Sequence, residues 1–244
     1  MAELEVIKHT KKAYKVFRSD SPFVEKVIEF FVEIFIIIFA VSITIWLHGI
    51  SEHRHQQQDV KEFLIGLKGD LANDLAEMKS DRSGYQYQRA AFDFFRSMDA
   101  EAPGTKESLA KYTNAIFNKV ELVQNNGRFE GFKSSGKIGN IEDKKLQNDI
   151  LDLYTESIPS LLNTTQLYNT QKDRLIVFIE QNARIDEEKK ILILSEAMKA
   201  SQAKIISGTL RGFPDQVIQR YDSCISRIET IVKTIDQTYG LNGK

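Results

Sequence analysis

The feature that most constrains the fold is an uninterrupted apolar run near the N-terminus. From Phe30 to Leu47 the chain reads FFVEIFIIIFAVSITIWL, eighteen residues whose only ionisable side chain is Glu33. A helix of this length rises about 27 Å, close to the thickness of the hydrocarbon core of a bilayer. The sequence therefore predicts one membrane-spanning helix, over residues 22–48.

Residues suited to a membrane boundary mark both ends of this run. Ser21 and Pro22 precede it as an N-cap and a first-turn proline, and Trp46 and His48 lie where side chains would meet lipid headgroups. A cleaved signal peptide fits poorly, because the run is too long and charged residues follow it instead of a small-x-small cleavage site. A buried helix in a globular core is the other alternative. The pattern favours a permanent anchor.

The expected orientation follows from the basic residues on either side of the span. Six precede it and three follow it: Lys8, Lys11, Lys12, Lys15, Arg18 and Lys26, against Arg54, Lys61 and Lys68. Such an excess is typical of the cytoplasmic side. We therefore expect residues 1–21 in the cytoplasm, residues 22–48 in a bacterial inner membrane, and residues 49–244 outside the cytoplasm, in the periplasm of a Gram-negative cell.

Beyond the span, apolar residues recur at helical spacing. The first stripe consists of Val60, Leu64, Leu67, Leu71, Leu75 and Met78. Steps of three and four residues place these side chains on one face of a helix. Because only Gly49 separates the stripe from the membrane segment, we expect one long helix that continues to about Met98.

Turn residues divide the next part of the chain. The pair Pro103–Gly104 should end the first long helix, and Thr105 or Ser108 should cap a short helix that reaches Phe117. Glycine and asparagine are frequent over residues 125–139, which should be the least regular part of the chain.

The second half returns to a helical pattern. Helical spacing extends from Asp143 to Asn182, where Pro159 should produce a kink. The apolar run Ile191–Leu194 should begin another helix, and Phe213–Asp215 should open the last one. Since no alternating strand pattern is found, the sequence predicts an all-α fold, with one N-terminal transmembrane helix that continues into an antiparallel helical bundle.

Composition excludes two classes of site. Lys and Arg number 33 against 34 Asp and Glu, so the chain has no global positive field to attract nucleic acid. Cys224 is the single cysteine, which excludes an intrachain disulfide and a multi-cysteine metal site. We expect Cys224 to be a small buried apolar residue.

Two stretches of the sequence carry a likeness to a known family. The first is the membrane entry Val32-Glu33-Ile34 with its isoleucine-rich continuation, and the second is Phe132-Lys133-Ser134-Ser135-Gly136-Lys137-Ile138 with the helical pattern after it. Both are similar to signatures of an uncharacterised family of single-pass inner-membrane proteins from Bacteroidetes-type bacteria. Val32 stands where that family usually has glycine. The resemblance implies the same topology and implies no activity.

The second stretch also overlaps the beginning of a phosphate-binding loop. Gly131 to Lys137 has the spacing G-x-x-x-x-G-K, in which main-chain amides would surround phosphates. Ile138 replaces the Ser or Thr that would bind magnesium, and no buried strand pattern precedes the loop. We interpret the segment as a helix end and a turn with a left-handed glycine, formed by Lys133, Ser134, Ser135 and Gly136.

Four ionisable residues near the membrane segment are candidate functional residues. Glu33 lies inside the apolar run, and three roles are open for it: tolerance at the boundary, a contact between helices, or handling of protons or cations. His48, His53 and His55 cluster beyond the run. His53 and His55 point in different directions on a helix, so one chain cannot gather all three around a metal. We expect side chains among headgroups, with metal binding in an oligomer or pH sensing as alternatives.

The sequence predicts a protein that is not an enzyme and needs no cofactor. No histidine lies in the predicted bundle, and no serine or cysteine occupies a nucleophile-type motif. The first hypothesis is a membrane-anchored, non-catalytic scaffold or accessory subunit that associates with the lipid bilayer and with copies of itself or another membrane protein. The alternatives are a component of an ion-driven or signalling assembly that uses Glu33, and a ligand-binding sensor bundle with a pocket near the glycine-rich stretch.

Overall fold

One helix contains the whole apolar run in the computed structural model, which describes residues 23–188 and 191–239. Helix α1 runs from Phe23 to Ser97 and has 75 residues. This confirms the expected long helix. The chain divides into two units after Asp59, and the core of the second unit begins at Val60.

Two expectations fall on residues outside the described part of the chain. Ser21 and Pro22, the expected helix cap, lie outside the described residues. The expected cytoplasmic segment 1–21, with its five Lys and Arg residues, also lies outside them. These expectations remain predictions.

The second unit is almost entirely helical, which confirms the all-α class. After α1 come α2 (Thr105–Phe117), α3 (Gly127–Ser134), a 3-10 turn (Lys137–Asn140), α4 (Lys144–Asp152), α5 (Ile158–Asn182), α6 (Ser195–Lys199), α7 (Ser201–Arg211) and α8 (Phe213–Tyr239). Gly104, with φ 81°, is the residue before α2. The expectation that Thr105 or Ser108 caps this helix is therefore wrong. Thr105 already belongs to α2, and its hydroxyl donates to the carbonyl of Asp99.

A two-stranded hairpin corrects the expected helix at Ile191–Leu194. Strand β1 (Arg184–Asp186) pairs antiparallel with β2 (Ile191–Ile193), and Ile185 lies opposite Leu192. Helix α6 begins only at Ser195. β-Branched residues favour the extended backbone, and the Asp186 carboxylate accepts from the main-chain N–H of Glu188, which starts the turn.

A π-helical turn, Leu153–Ser157, lies between α4 and α5, directly before Pro159, where the sequence predicts a kink. Proline has no N–H, and its ring would clash with the carbonyl four residues earlier, that of Thr155. One wider turn relieves this conflict, as π-turns do within longer helices. At the start of α4, the Asp143 carboxylate accepts from the N–H of Leu146 at 3.0 Å and caps the helix.

Three long helices supply the core with side chains that repeat at seven-residue intervals. The buried positions are Val60, Leu64, Leu67, Leu71, Asp74, Met78, Tyr85, Gln88, Phe92 and Phe95 on α1; Ile158, Leu161, Thr165, Tyr168, Lys172, Leu175 and Ile179 on α5; and Val217, Tyr221, Cys224, Ile228, Ile231 and Ile235 on α8. Alternating steps of three and four are typical of helices that pack side by side with a small crossing angle. Each fully buried aliphatic or aromatic side chain contributes about 1.5–3 kcal/mol.

Ion pairs along the α1–α8 contact show that these two helices are antiparallel. Lys68 pairs with Asp236 at 2.5 Å, and Arg89 pairs with Asp215 at 3.1 Å. Residue numbers therefore rise on α1 while they fall on α8. These partly exposed pairs each contribute little to stability, but they fix the register of the two helices.

Helix α5 runs in the same direction as α1. The ring of Tyr85 lies 5.6 Å from that of Tyr168, and farther along both helices Gln88 contacts Lys172. Because α1 and α5 are parallel, the chain between them must run back along the length of α1.

Residues 118–126, which we name the strap, provide that return. The Tyr85 hydroxyl donates to the carbonyl of Val120 at 2.7 Å, and the N–H of Asn125 donates to Asp74 at 3.0 Å. Five strap residues therefore pass along eleven residues of α1, about 16 Å of helix, which requires a rise of about 3.3 Å per strap residue. The strap is an extended chain antiparallel to α1.

Candidate functional site

Glu33 is shielded from solvent although its neighbours in α1 are not. Its exposed fraction is 9%, against 63% for Phe31 and 67% for Phe35. Its Oε2 atom is buried and has no hydrogen-bond partner. A shielded carboxylate oxygen without a donor is costly and is available to accept a hydrogen bond. Which of the three expected roles Glu33 has remains a prediction.

The three histidines of the membrane exit lie on the surface of α1. His48, His53 and His55 are all exposed. Within residues 23–188 and 191–239, no group of three or more His, Cys, Asp or Glu side chains is placed to hold a metal ion. The structure therefore does not bring the three histidines together, and their expected place among headgroups remains a prediction.

Lys133, Ser134, Ser135 and Gly136 form the end of α3 and the turn after it. Gly136 has φ 75°, and its N–H donates to the carbonyl of Lys133 at 3.0 Å. The Ser135 hydroxyl donates to the carbonyl of Phe132 at 2.8 Å. The left-handed turn at Gly136 has the geometry that the sequence predicts.

This local structure also argues against phosphate binding at Gly131–Lys137. Gly131 to Ser134 belong to a helix, and the only strands in the described ranges are β1 and β2, which follow it in the chain. A phosphate-binding loop needs a strand before it and amides that point into a shared space. Instead, the Lys133 ammonium lies 5.4 Å from the centre of the Phe129 ring, a cation–π contact.

A buried polar centre between α1, α5 and the strap was not identified in the sequence. Lys172 on α5 is fully buried, and its Nζ donates to Oε1 of Gln88 at 3.0 Å and to the carbonyl of Asn118. The Tyr168 hydroxyl donates to the same Gln88 oxygen at 2.9 Å. Burial lowers the pKa of Lys172 to about 7, and the positive charge of Lys119 acts in the same direction. Burial thus favours the neutral amine over the charged ammonium at this position.

Asp74 on α1 holds the other end of the strap. One of its oxygens, Oδ1, accepts from the main-chain N–H of Asn125 at 3.0 Å and from its side-chain amide at 2.6 Å. The other, Oδ2, is buried without a partner. Burial raises the pKa of Asp74, although the bonds from Asn125 lower it. Two buried ionisable residues, Lys172 and Asp74, thus secure the two ends of the strap.

A signal for both residues is present in the sequence. Lys172 and Asp74 continue the seven-residue apolar repeats of α5 and α1, so each occupies a position that an apolar side chain would normally fill. A charged residue at such a position indicates either a break in the core or a buried polar contact. The partners, Asn118 and Asn125, could not have been found, because neither belongs to a periodic segment.

A cleft of about 670 Å³ lies between the strap and α5. Its lining comprises Glu121, Leu122, Val123 and Gln124 from the strap and Pro159, Leu162, Asn163 and Gln166 from the start of α5. Lys172 bonds to Asn118 beyond one end of this lining. Beyond the other end, Tyr154 stacks on Phe129 with ring centres 4.3 Å apart.

Cys224 fulfils the expectation of a buried apolar residue. Its exposed fraction is 1%, and burial raises the pKa of its thiol to about 11. The thiol therefore stays protonated at neutral pH, and a protonated, buried thiol is a poor nucleophile.

Comparisons of this chain with protein-family models, curated proteins and solved structures find no match. The resemblance to a family of single-pass membrane proteins therefore remains an expectation.

Proposed function

We propose that this protein is a membrane-anchored, non-catalytic scaffold or accessory subunit whose helical bundle lies outside the cytoplasm. One observation carries the proposal. Helix α1 contains an 18-residue window that is long and apolar enough to cross a membrane, and the apolar side chains of that window are not buried inside the protein.

The two parts of α1 differ in what covers their apolar side chains. From Val60 onward the apolar stripe packs into the core. Before it, large side chains such as Ile38, Ile45 and Trp46 are 59–67% exposed. Exposed apolar surface costs roughly 25 cal/mol per Å² in water, so a continuous exposed run of this kind requires another covering. A bilayer supplies that covering, whereas a water-soluble core helix would already be buried.

The bundle supports a role in binding more than a role in catalysis. Two of its buried ionisable side chains, Lys172 and Asp74, are engaged with the main chain and side chain of the strap. Such contacts hold a surface segment in a defined shape. We propose that partners of the bundle are copies of this chain or another membrane protein.

Two observations keep alternative functions open. The shielded and unpartnered oxygen of Glu33 favours a component of an ion-driven or signalling assembly. The cleft beside the strap favours a bundle that recognises a ligand.

Fractionation and topology reporters test the proposal together. The intact protein should stay with membranes through alkaline carbonate extraction, and a reporter after Lys244 that is active only outside the cytoplasm should be active, because six basic residues precede the span and three follow it. Release by carbonate would contradict the anchor. Activity of a cytoplasm-specific reporter at the same position would contradict the orientation. The mass of the detergent-solubilised protein then distinguishes a defined oligomer from a recruited monomer.

A further inference from the structure

Helix α1 has two different faces along the apolar run. One face consists of residues at steps of four, three and four: Glu33, Ile37, Ala40 and Thr44. At 3.6 residues per turn these four residues fall within about 60° of one another, and we name them the Glu33 stripe. The opposite face carries four aromatic side chains: Phe31, Phe35, Phe39 and Trp46. The two faces therefore differ in bulk.

The Glu33 stripe is the face on which another helix can approach closely. Ala40 and Thr44 are one turn apart, and small residues at this spacing bring the backbones of membrane helices together. The Thr44 hydroxyl donates to the carbonyl of Ala40 at 2.8 Å, so it is satisfied within its own helix. On the other face, the rings of Phe35 and Phe39 stack with their centres 6.0 Å apart. That bulky face is suited to lipid chains.

Glu33 gives the stripe one polar atom that needs a partner. Its side chain is 9% exposed, and its Oε2 atom is buried without a hydrogen bond. Among the described residues of the span, no other buried side-chain nitrogen or oxygen lacks a partner. Hydrocarbon offers no donor, and the main-chain N–H groups around Glu33 are engaged in the helix. A donor for this oxygen therefore has to come from a second helix.

We infer that the Glu33 stripe joins the membrane helices of two copies of this chain, with the two Glu33 carboxyl groups hydrogen-bonded to each other. Copies of one chain insert in the same orientation, so their spans are parallel and Glu33 lies at the same depth in both. A two-fold axis along the membrane normal then places the same face on both sides of the contact.

The chemistry of the stripe favours a second copy as the partner. Phe30 to Leu47 contains no Lys or Arg, so the second copy offers no cation in this run. Ionisable side chains within membranes pair with one another, and one proton held between two carboxyl groups makes each the partner of the other. Contact between identical stripes also brings small residues opposite small residues along about 16 Å of helix, from Glu33 to Thr44.

Cysteine cross-linking tests which face forms the contact. Ala40→Cys places a thiol on the stripe. Ser42→Cys is the matched control, because it lies at nearly the same depth, replaces a side chain of similar size and points about 160° away. The full chain in membranes of the producing cells would be oxidised with copper phenanthroline, which takes up the two electrons released when two thiols form a disulfide. The parent chain, whose single thiol at Cys224 is buried, is the blank.

We expect a disulfide-linked dimer from Ala40→Cys and none above the blank from Ser42→Cys, because only thiols at a helix contact come within bonding distance. Equal linkage of both variants would indicate random collision, and linkage of Ser42→Cys alone would indicate contact through the aromatic face. Either result, or an unlinked Ala40→Cys, would overturn the inference.

A second measurement tests whether the two carboxyl groups meet. Glu33→Leu should raise the dissociation constant of the dimer about three- to thirtyfold, since the hydrogen bond between the helices is lost. Glu33→Gln should leave it unchanged, because two amides donate and accept in both directions. Analytical ultracentrifugation of the full chain in detergent micelles measures the dissociation constant. An unchanged constant in Glu33→Leu, or an added mass that belongs to a different protein, would contradict the pairing.

This inference rests on the proposed scaffold function, since it requires the span and names the partner. The two fail in different ways. A chain that resists carbonate extraction but gives no linkage at Ala40→Cys would remain an anchored scaffold without this contact. A chain that carbonate releases would lose the anchor itself.

Discussion

Lys172 on α5 donates from Nζ to Oε1 of Gln88 on α1 across 3.0 Å, and both side chains lie within the core. An ammonium group in this position loses its hydration and receives little compensation from opposite charge. The contact therefore links the packing of the bundle to pH.

The stability of the bundle should rise with pH because of Lys172. The pKa of Lys172 is about 7 in the folded protein and 10.5 in the unfolded chain, so between these values the unfolded state binds more protons. The stability contributed by neutral Lys172 is fully present above the unfolded pKa of 10.5. It decreases as the pH falls below that value and is lost once the pH is below the folded pKa of about 7. From pH 6 to pH 8.5 it amounts to about 2 kcal/mol. Urea unfolding of the full chain in detergent at both pH values measures it.

Lys172→Met provides the comparison for this measurement. The variant should lose the rise with pH, whereas Lys145→Met, at a surface lysine that is 75% exposed, should retain it. An unchanged pH dependence in Lys172→Met would show that another group is responsible.

Asp74 should have the opposite pH dependence. Its raised pKa means that the folded state takes up a proton at higher pH than the unfolded state, so its contribution is present at low pH and is lost as pH rises through the raised pKa. Asp74→Asn keeps an acceptor for Asn125 and removes the buried charge, and it should stabilise the protein at pH 7 by about 1 kcal/mol. Asp74→Ala should destabilise it by about 1–3 kcal/mol, because the N–H of Asn125 loses its acceptor. Equal destabilisation by Asn and Ala at pH 7 would show that the charge itself is needed.

Gly136 should be sensitive to any side chain because of its backbone conformation. A Cβ atom at this position meets no atom within 4 Å, so a loss of stability would come from φ 75° alone. We expect Gly136→Ala to lower the free energy of unfolding by about 1 kcal/mol. Gly139→Ala is the control, since Gly139 has equal space and no positive φ. Thermal unfolding of both variants measures the difference, and equal melting temperatures would exclude backbone strain at Gly136.

Glu33 should matter for association within the membrane. We expect Glu33→Leu to weaken the oligomer or partner complex and Glu33→Gln to preserve it, because the amide keeps the shape and the hydrogen bonding of the side chain. A bond of this kind between membrane helices contributes about 0.6–2 kcal/mol. Glu29→Leu, at an exposed position of the same helix, is the control. The mass of the solubilised complex is the readout, and no change in either Glu33 variant would mean that the carboxylate is only tolerated.

The helices could be predicted from the sequence wherever a long periodic pattern ends at a strong signal. Helix α1 ends at Ser97, shortly before Pro103, and α8 begins at Phe213 beside Pro214, as the sequence predicts. Ile191–Ile193 could not be assigned in this way. Three apolar residues are compatible with either a strand or a helix, and the pairing with Arg184–Asp186 decided the outcome.

The strap shows where sequence patterns lose their information. It has neither helical nor alternating periodicity, because its course is set by contacts with Tyr85, Asp74 and Lys172, which lie 35 to 54 residues away in the chain. The direction of α5 relative to α1 follows from the same segment. The parallel arrangement and the cleft therefore required the three-dimensional structure, whereas the turn at Gly136 did not.

The antiparallel pairing of α1 with α8 has a consequence for biosynthesis. Lys68 and Asp236 are 168 positions apart, and α8 is translated after every other described helix. The apolar stripe that starts at Val60 emerges early and lacks this partner until late in synthesis. Contacts of such long range slow folding and leave incomplete chains with exposed apolar surface. A polypeptide that stops before Phe213 would therefore expose this apolar stripe of α1. Chaperones and proteases recognise such exposed apolar surface.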